Sequence, residues 1–321
     1  MKEVLCAGYA ALDLISYEER LTHRAGGTAA NVAANLAFLG WKARLAGVLG
    51  ADAAGRAIVR DLEESEVNVD DVELRSGGTP LVVHEIRANG HRFYFHCPEC
   101  GRRFPKYRPL DEPTARSLAE RLEPDLFFFD RASKATAILA EELRKKGTIV
   151  MFEPSTNGRE FERCFEAADI FKYSSERASA IAELRSQTKP KLEIVTDGKR
   201  GVRATFANES ILLPAFQVEV VDAAGAGDWT TAGLVWRLLD HDPEAWSETT
   251  VRTALRDAQA LAAINCVYPG ARAAAEHLTK AEMLAVARKL IADQSPVFTH
   301  AQPPRRTRSR ATGCSSCLAD A

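Results

Sequence analysis

Residues 220–236 read VVDAAGAGDWTTAGLVW: a short apolar stretch, small residues, an acid and then a helical pattern. The small residues bring backbone N–H groups close to whatever lies at the start of the helix. The first-turn donors there are unpaired and carry partial positive charge. This arrangement predicts an anion site that suits a phosphoryl group. Asp228 would repel a phosphate, so two roles are open for it: a general base that takes a proton from an attacking hydroxyl, or a helix cap.

A second glycine-rich helix start lies near the N-terminus, where residues 25–40 read AGGTAANVAANLAFLG. Gly26 and Gly27 allow a ligand to approach the backbone closely. Asn31, in the first turn, offers both a donor and an acceptor to hydroxyl groups. The alternative is a tightly packed helix whose asparagines hydrogen-bond locally.

A third glycine-rich segment, TDGKRG at residues 196–201, follows the apolar strand pattern of residues 192–195. A loop at the carboxyl end of a strand in a parallel sheet suits nucleotide phosphates. Thr196, Gly198 and Gly201 are its candidate binding residues. A plain turn between two strands is the alternative.

Strand-like and helix-like segments alternate through most of the chain, which predicts βαβ units and a mostly parallel sheet flanked by helices. The pattern changes over residues 72–96, where two β-rich runs surround Asn89-Gly90. This is a hairpin signal, and we expect a small antiparallel flap there.

The composition is typical of a globular protein, and its charge predicts no binding to an anionic partner. The 321 residues are 46% hydrophobic and 27% charged, with a net charge of −2, so no attraction to nucleic acid or membranes is predicted. No apolar run approaches the roughly 20 residues that span a bilayer, and we expect a cytoplasmic protein. We expect one domain over residues 1–293 and a basic, Pro-rich, extended tail over residues 294–321.

The three glycine-rich segments, in this order, resemble the ribokinase-like (PfkB) family of carbohydrate and nucleoside kinases. The resemblance runs from about residue 3 to residue 293. It implies an α/β fold with a central, mostly parallel sheet and a small β lid, at about residues 72–110, over a sugar site. The site residues that it implies are catalytic Asp228, Gly225, Ala226 and Gly227, substrate-binding Asp13, Gly26, Gly27 and Asn31, and nucleotide-binding Thr196, Gly198, Gly201, Asn265 and Glu176.

The same resemblance implies ATP-dependent phosphorylation of a hydroxyl, preferentially a primary one, of a sugar or sugar-like molecule. Asp228 is the implied base and the amides of residues 225–227 the implied anion hole. ATP and Mg²⁺ are the expected cofactors, with a monovalent cation as a further one, and a homodimer through the lid is expected. A nucleoside kinase is the nearer alternative, indicated by Phe93, Phe95 and Phe104 near the acceptor site.

Two departures from the family pattern bear on these expectations. Ala223 stands where the family usually has threonine. At the usual N-x-x-E motif, Ser174 replaces asparagine and Arg177 replaces glutamate, with Glu176 one position out of register. Magnesium affinity is therefore open, and a non-catalytic regulatory member with a metal-held tail is the alternative from another class.

Two C-x-x-C pairs stand apart from the kinase pattern. Cys97 and Cys100 lie in CPECG, which resembles a zinc knuckle, and Cys314 and Cys317 lie at the end of the tail. Four thiolates make a closed structural zinc site, which would hold the tail to the lid. A redox pair and unconnected thiols are the alternatives.

Overall fold

The computed structural model describes residues 1–18, 20–87, 90–155, 159–182 and 189–293. The strands in these ranges are β1 (Glu3–Ala7), β2 (Ala11–Tyr17), β3 (Arg20–Gly26), β4 (Lys42–Gly50), β5 (Val67–Arg75), β6 (Leu81–Arg87), β7 (Gly90–Tyr94), β8 (Leu126–Phe129), β9 (Ile149–Phe152), β10 (Ile170–Ser174), β11 (Leu192–Thr196), β12 (Val202–Phe206) and β13 (Glu209–Leu213). The α-helices are α1 (Thr28–Phe38), α2 (Ala53–Glu64), α3 (Glu112–Arg121), α4 (Lys134–Lys145), α5 (Phe161–Glu166), α6 (Ala178–Ala182), α7 (Ala226–Leu238), α8 (Glu248–Asn265), α9 (Ala273–His277) and α10 (Lys280–Asp293).

Nine strands form the main sheet, in the order β13-β12-β11-β10-β9-β8-β1-β4-β5. The seven strands from β11 to β5 are parallel, and β12 and β13 close one edge as an antiparallel pair. The central strands read as unbroken apolar runs, such as LFFF in β8 and IVMF in β9. Such runs are expected where helices cover both faces of a parallel sheet, and the predicted α/β class with a mostly parallel sheet is confirmed.

Four strands, in the order β3-β2-β6-β7, form a second sheet that we call the lid. The predicted hairpin is confirmed as β6 and β7, which pair antiparallel. One expectation was wrong. The lid does not begin at residue 72, because β5 pairs with β4 at the edge of the main sheet. Residues 11–26 form β2 and β3, so Asp13 lies within a lid strand.

Two apolar cores lie on the opposite faces of the main sheet. Helices α1, α2, α7, α8 and α10 contribute to one, and α3, α4 and α5 to the other. Trp229, fully buried in α7, meets Phe38 of α1 edge to face with ring centroids 5.8 Å apart. A Cβ on Gly233 would lie 2.8 Å from the Cα of Ala258, so α7 and α8 pack backbone to backbone. This packing fixes the start of α7 against the sheet. Within the described ranges, no helix has the length and apolarity to cross a membrane.

Candidate active site

A cavity of about 720 Å³ lies between the lid and the carboxyl ends of the main-sheet strands. Asp13, Gly27, Asn31, Gly225 and Asp228 all line it. Its size is typical of small-molecule sites, and ligands of open α/β sheets bind at this edge. The structure therefore brings together, at one cavity, predicted site residues from two glycine-rich segments that are distant in sequence and Asp13 from β2.

Asp228 occupies the first turn of α7 and is 9% exposed. The side-chain amide of Asn31 donates a 2.7 Å hydrogen bond to its Oδ2. Burial, and then repulsion by the nearby Glu153, raise the pKa of Asp228 to about 7, against the opposing effects of Asn31 and of the Lys172 charge. A carboxylate that titrates near neutrality and faces a cavity suits general-base catalysis. The N-cap position of α7 is occupied by Gly225, and Asp228 lies three residues further on.

The loop before α7 holds the predicted anion hole. Gly225 has φ +73°, and a Cβ there would lie 2.1 Å from the carbonyl oxygen of Ala271, so only glycine fits. The N–H of Ala226 donates to the carbonyl of Ala223 at 3.2 Å in a tight turn. Within the described part of the chain, the N–H groups of Gly225 and Gly227 have no protein acceptor. These two groups are the donors left for a phosphoryl oxygen.

A buried polar network supports this loop from below, and the sequence analysis missed it. The Lys172 ammonium donates to Glu153 Oε1 at 2.5 Å and to the carbonyl of Gly227 at 3.2 Å. The hydroxyl of Thr231 donates to Glu153 Oε2 at 2.6 Å. Glu153 directly follows β9, and Lys172 lies in the middle of the adjacent strand β10. A charged residue in or directly after a buried apolar strand was the available signal. Because its members are paired, the network can hold the glycine loop in a fixed position.

The glycine pair at the start of α1 is explained by close approach. A Cβ on Gly26 would lie 2.0 Å from Asp13 Oδ2, and one on Gly27, at φ +90°, would lie 2.4 Å from the carbonyl oxygen of Tyr9. Burial raises the pKa of Asp13 to about 7, while His84 and Arg272 oppose this rise. Asp13 is therefore a desolvated carboxyl group on the cavity wall, as expected of a group that binds substrate hydroxyls.

The lid touches the anion-hole loop through Asp222. His91 Nδ1 lies 2.7 Å from Asp222 Oδ1, and His84 Nε2 lies 3.4 Å from its Oδ2. The N–H groups of Ala224 and Gly270 also donate to this carboxylate. Burial alone would raise the pKa of Asp222, but the contacts with the two histidines and Ala224 outweigh it and hold the pKa well below its usual range. Asp222, His84 and His91 thereby connect the lid to the loop before α7.

The predicted nucleotide loop lies at the end of β11. Thr196 ends the strand, and Gly198 (φ +51°) begins a short 3₁₀ turn in which Asp197 pairs with Arg200. Gly201 has φ +110°, and a Cβ there would lie 2.1 Å from the carbonyl oxygen of Leu213, so packing against the end of β13 already requires glycine. None of the three lines the cavity that holds Asp228.

Asn265 and Glu176 are the other two residues predicted to bind the nucleotide. Asn265 is fully buried, and its amide donates to the carbonyls of Ala224 and Gly270 while its oxygen accepts from the N–H of Ala274. These bonds brace the loop before α7. Glu176 is exposed in a 3₁₀ turn.

Basic side chains are the unexpected part of the cavity wall. Four of them line it: Arg103, Lys106, Arg131 and Arg177. Of these four, only Arg177 was noted from the sequence, as a departure from the family motif. Arg131 follows the carboxyl end of β8, where a ligand is expected in such a sheet, and this position was the missed signal. The predicted zinc ligands Cys314 and Cys317 lie outside the described residues, whereas Cys97 is buried and Cys100 exposed.

Fold and cavity define a phosphotransferase that acts on hydroxyl groups, and comparison with known proteins identifies its family. The profile of the pfkB family carbohydrate kinases matches residues 1–278, and the chain belongs to this family. A fructokinase of Klebsiella pneumoniae is 30% identical over 73% of this chain and 83% of its own. An ATP-dependent ribose-1-phosphate kinase of Halopiger xanaduensis is 27% identical, over 85% and 95% respectively.

Solved structures agree on the fold. A double-mutant fructokinase from Vibrio cholerae O395, described with fructose, ADP and potassium ion bound, matches with a TM-score of 0.72 at 22% identity, over 89% of this chain and 98% of its own. Aminoimidazole riboside kinase from Salmonella enterica, described in complex with its riboside and an ATP analogue, matches with a TM-score of 0.69 at 20% identity, over 89% and 100% respectively. This protein is thus a carbohydrate kinase of ribokinase-like fold.

Proposed function

We propose that this kinase transfers the γ-phosphoryl group of ATP to a hydroxyl, preferentially primary, of a sugar or sugar-like acceptor, with Asp228 as the general base. The observation that carries the proposal is the position of Asp228: on the cavity wall, with a pKa of about 7, one turn from the open N–H groups of Gly225 and Gly227. A base with such a pKa is half ionised at neutral pH, as this chemistry requires.

The proposed reaction follows from the positions of these groups. Asp13 and Asn31 hold hydroxyls of the acceptor, and Asp228 takes the proton of the reacting hydroxyl. The hydroxyl oxygen bonds to the γ-phosphorus as the bond to the β,γ-bridging oxygen breaks, and ADP leaves with that electron pair. The N–H groups of Gly225 and Gly227 donate to the transferring phosphoryl oxygens. Positioning and fixed dipoles of this kind carry most of the catalysis in phosphoryl transfer.

The nucleotide is proposed to extend from the anion hole toward Thr196 and Gly198, over the ends of β10 and β11. Magnesium, when bound, neutralises charge on the β- and γ-phosphates. Both carboxylate oxygens of Glu153 are engaged by Lys172 and Thr231. The ion would therefore be held by phosphate oxygens and water, which Mg²⁺ commonly keeps. A monovalent cation is proposed by analogy with the fructokinase described with potassium, and replacing potassium by tetramethylammonium in the assay would test it.

The experiment is the substitution Asp228→Asn, with ADP release and nucleotide binding measured on the same preparation. We expect turnover to fall by at least about 1,000-fold, since the variant loses the base at the reacting oxygen, while ATP binds within about threefold of wild type. Asp197→Asn, in the proposed nucleotide loop, is the matched control. This variant should weaken ATP binding more than it lowers turnover. Turnover retained in Asp228→Asn would defeat the assignment.

A nucleoside kinase is the second candidate function, and aromatic side chains on the cavity wall support it. Phe93, Phe95 and Phe104 line the cavity and offer aromatic faces to a base. Aminoimidazole riboside kinase of Salmonella typhimurium is 24% identical over 85% of this chain and 92% of its own. A panel of sugars and nucleosides, scored by ADP release, separates the two.

A non-catalytic member is supported only by Arg177 at the altered motif, and magnesium-dependent ATP hydrolysis would exclude it.

Two further proposals concern the lid. A zinc ion is proposed to join the cysteine pair after β7 to Cys314 and Cys317. Its support is the turn in which the N–H of Gly101 donates to the carbonyl of Cys97 and the N–H of Cys97 to that of Arg102. Metal analysis that finds no zinc, together with full alkylation of the tail cysteines, would refute it.

A homodimer through the lid is supported by exposed apolar side chains on its edge strands, Leu21 and Phe93, and light scattering would test it.

A further inference from the structure

Arg131 is held in a fixed position at the cavity and keeps N–H donors that the described residues do not use. Its side chain is 17% exposed, and one terminal nitrogen, Nη1, donates to Asp130 Oδ2 at 2.5 Å and to the Asp130 carbonyl. The guanidinium carbon lies 4.6 Å from the ring centroid of Tyr9 and 5.8 Å from that of Tyr107. In the described part of the chain, Nε and Nη2 make no hydrogen bond to protein. A guanidinium fixed by stacking, with two donors free, is suited to a planar or tetrahedral anion.

Sheet order places this cation on the acceptor side of the transfer point. The anion-hole loop rests on Lys172 of β10 and beside Glu153 after β9. The nucleotide loop follows β11, on one side of these two strands, and Arg131 follows β8, on the other. Neighbouring strands are about 4.8 Å apart, so Arg131 lies roughly one to two strand spacings beyond the reacting phosphorus, away from the nucleotide. Arg177, which follows β10, is the cation left for ATP.

Two more cations lie on the same wall, on the segment that leads from the lid back to the main sheet. Lys106 directly precedes Tyr107, whose ring stacks near Arg131, and Arg103 lies three residues earlier. Both are exposed, and neither has an ion-pair partner among residues whose placement is described. No described carboxylate of the protein therefore neutralises these two charges. An anionic group on the acceptor would pair with them.

We propose that the acceptor carries an anionic group, a phosphoryl or a carboxylate group, which Arg131, Lys106 and Arg103 bind at the end of the cavity opposite the nucleotide. The substrate is then a phosphorylated or carboxylated sugar and not a neutral one. This inference rests on the proposed kinase function for its biological meaning. It concerns binding, however, and can be measured without turnover.

The test measures binding of matched acceptors to the Asp228→Asn variant by calorimetry, without nucleotide. The probes are fructose against fructose-6-phosphate, ribose against ribose-1-phosphate, and glucose against gluconate. One charge-assisted contact should make an anionic member bind about 10- to 100-fold more tightly than its neutral parent. The phosphates against gluconate show which anion is preferred. Turnover of the same panel by wild type tests the proposed function separately.

Variants locate the preference on the residues named. Arg131→Gln should reduce the anionic preference about tenfold or more. Because Arg131 also pairs with buried Asp130, Lys106→Gln, at an exposed position, provides a second variant with a smaller loss. Lys145→Gln, on α4 and outside the cavity, should leave the preference unchanged. Equal or tighter binding of every neutral parent, or a preference that survives both cavity variants, would overturn the inference. Failure of turnover with anionic binding intact would overturn only the kinase mechanism.

Discussion

Replacing Asn31 by alanine tests the electrostatics of the proposed base. The amide of Asn31 donates the 2.7 Å hydrogen bond that lowers the pKa of Asp228 against the effect of burial. A hydrogen bond to a charged group contributes about 1.5–3 kcal/mol, and water entering the gap would restore part of it. We therefore expect a rise of about one pKa unit, from about 7 to about 8. The ionised fraction at pH 7 would fall from about half to about a tenth.

The assay is the pH profile of kcat/KM for the acceptor, which reports groups of the free enzyme. For wild type we expect kcat/KM to rise with pH through about 7, because Asp228 must lose its proton to act. Asn31→Ala should shift this limb upward by about one pH unit, in addition to a loss at every pH that comes from its proposed contact with the acceptor. Asn35→Ala, one turn further along α1 and without contact to Asp228, is the control and should leave the limb in place. An unshifted limb in Asn31→Ala, with a loss equal at every pH, would refute the reasoning.

Three other outcomes are expected. Gly26→Ala should raise the acceptor KM at least tenfold, because its Cβ would enter the carboxylate of the neighbouring lid acid, whereas Gly47→Ala, with open space around it, should not. Lys172→Met should lower the free energy of unfolding in urea by about 3–5 kcal/mol by leaving a buried carboxylate unpaired, and adding Glu153→Gln should restore part of it. Asp228→Asn should stabilise the fold increasingly from pH 5 to about pH 7, by up to about 3 kcal/mol, and by a constant amount above that, since the raised pKa makes the native state lose stability between the ordinary pKa of 3.8 and about 7. A difference that does not change between pH 5 and pH 7 would contradict the buried pKa of about 7.

The fold was predictable from sequence where local patterns were strong. Apolar runs such as residues 126–129 and 149–152 have one reading in an α/β chain, a buried parallel strand, and the glycine-rich helix starts mark their own positions. Residues 11–26 were not recognised as two strands. One of them, β3, is largely exposed, and its sequence lacks the alternation of apolar and polar residues that indicates a strand. The other strand, β2, joins the rest of the lid by pairing with β6, which is distant in sequence.

The site was predictable only in part, for a related reason. Asp228, Gly27 and Asn31 lie in segments whose composition signals a ligand, and the structure brings them to one cavity. Asn265 carries no signal that separates a ligand contact from a loop brace, and its role became visible only through its three bonds. The basic wall around Arg131 is assembled from separate loops, so no single stretch of sequence shows it.

The most direct test of the central claim is a crystal structure of the kinase with an acceptor and a non-hydrolysable ATP analogue. The account predicts the reacting hydroxyl about 2.6–3.2 Å from a carboxylate oxygen of Asp228, and the γ-phosphate within hydrogen-bond distance of the N–H groups of Gly225 and Gly227. An acceptor hydroxyl aligned with the γ-phosphate but beyond reach of Asp228, or a γ-phosphate bound elsewhere, would contradict it.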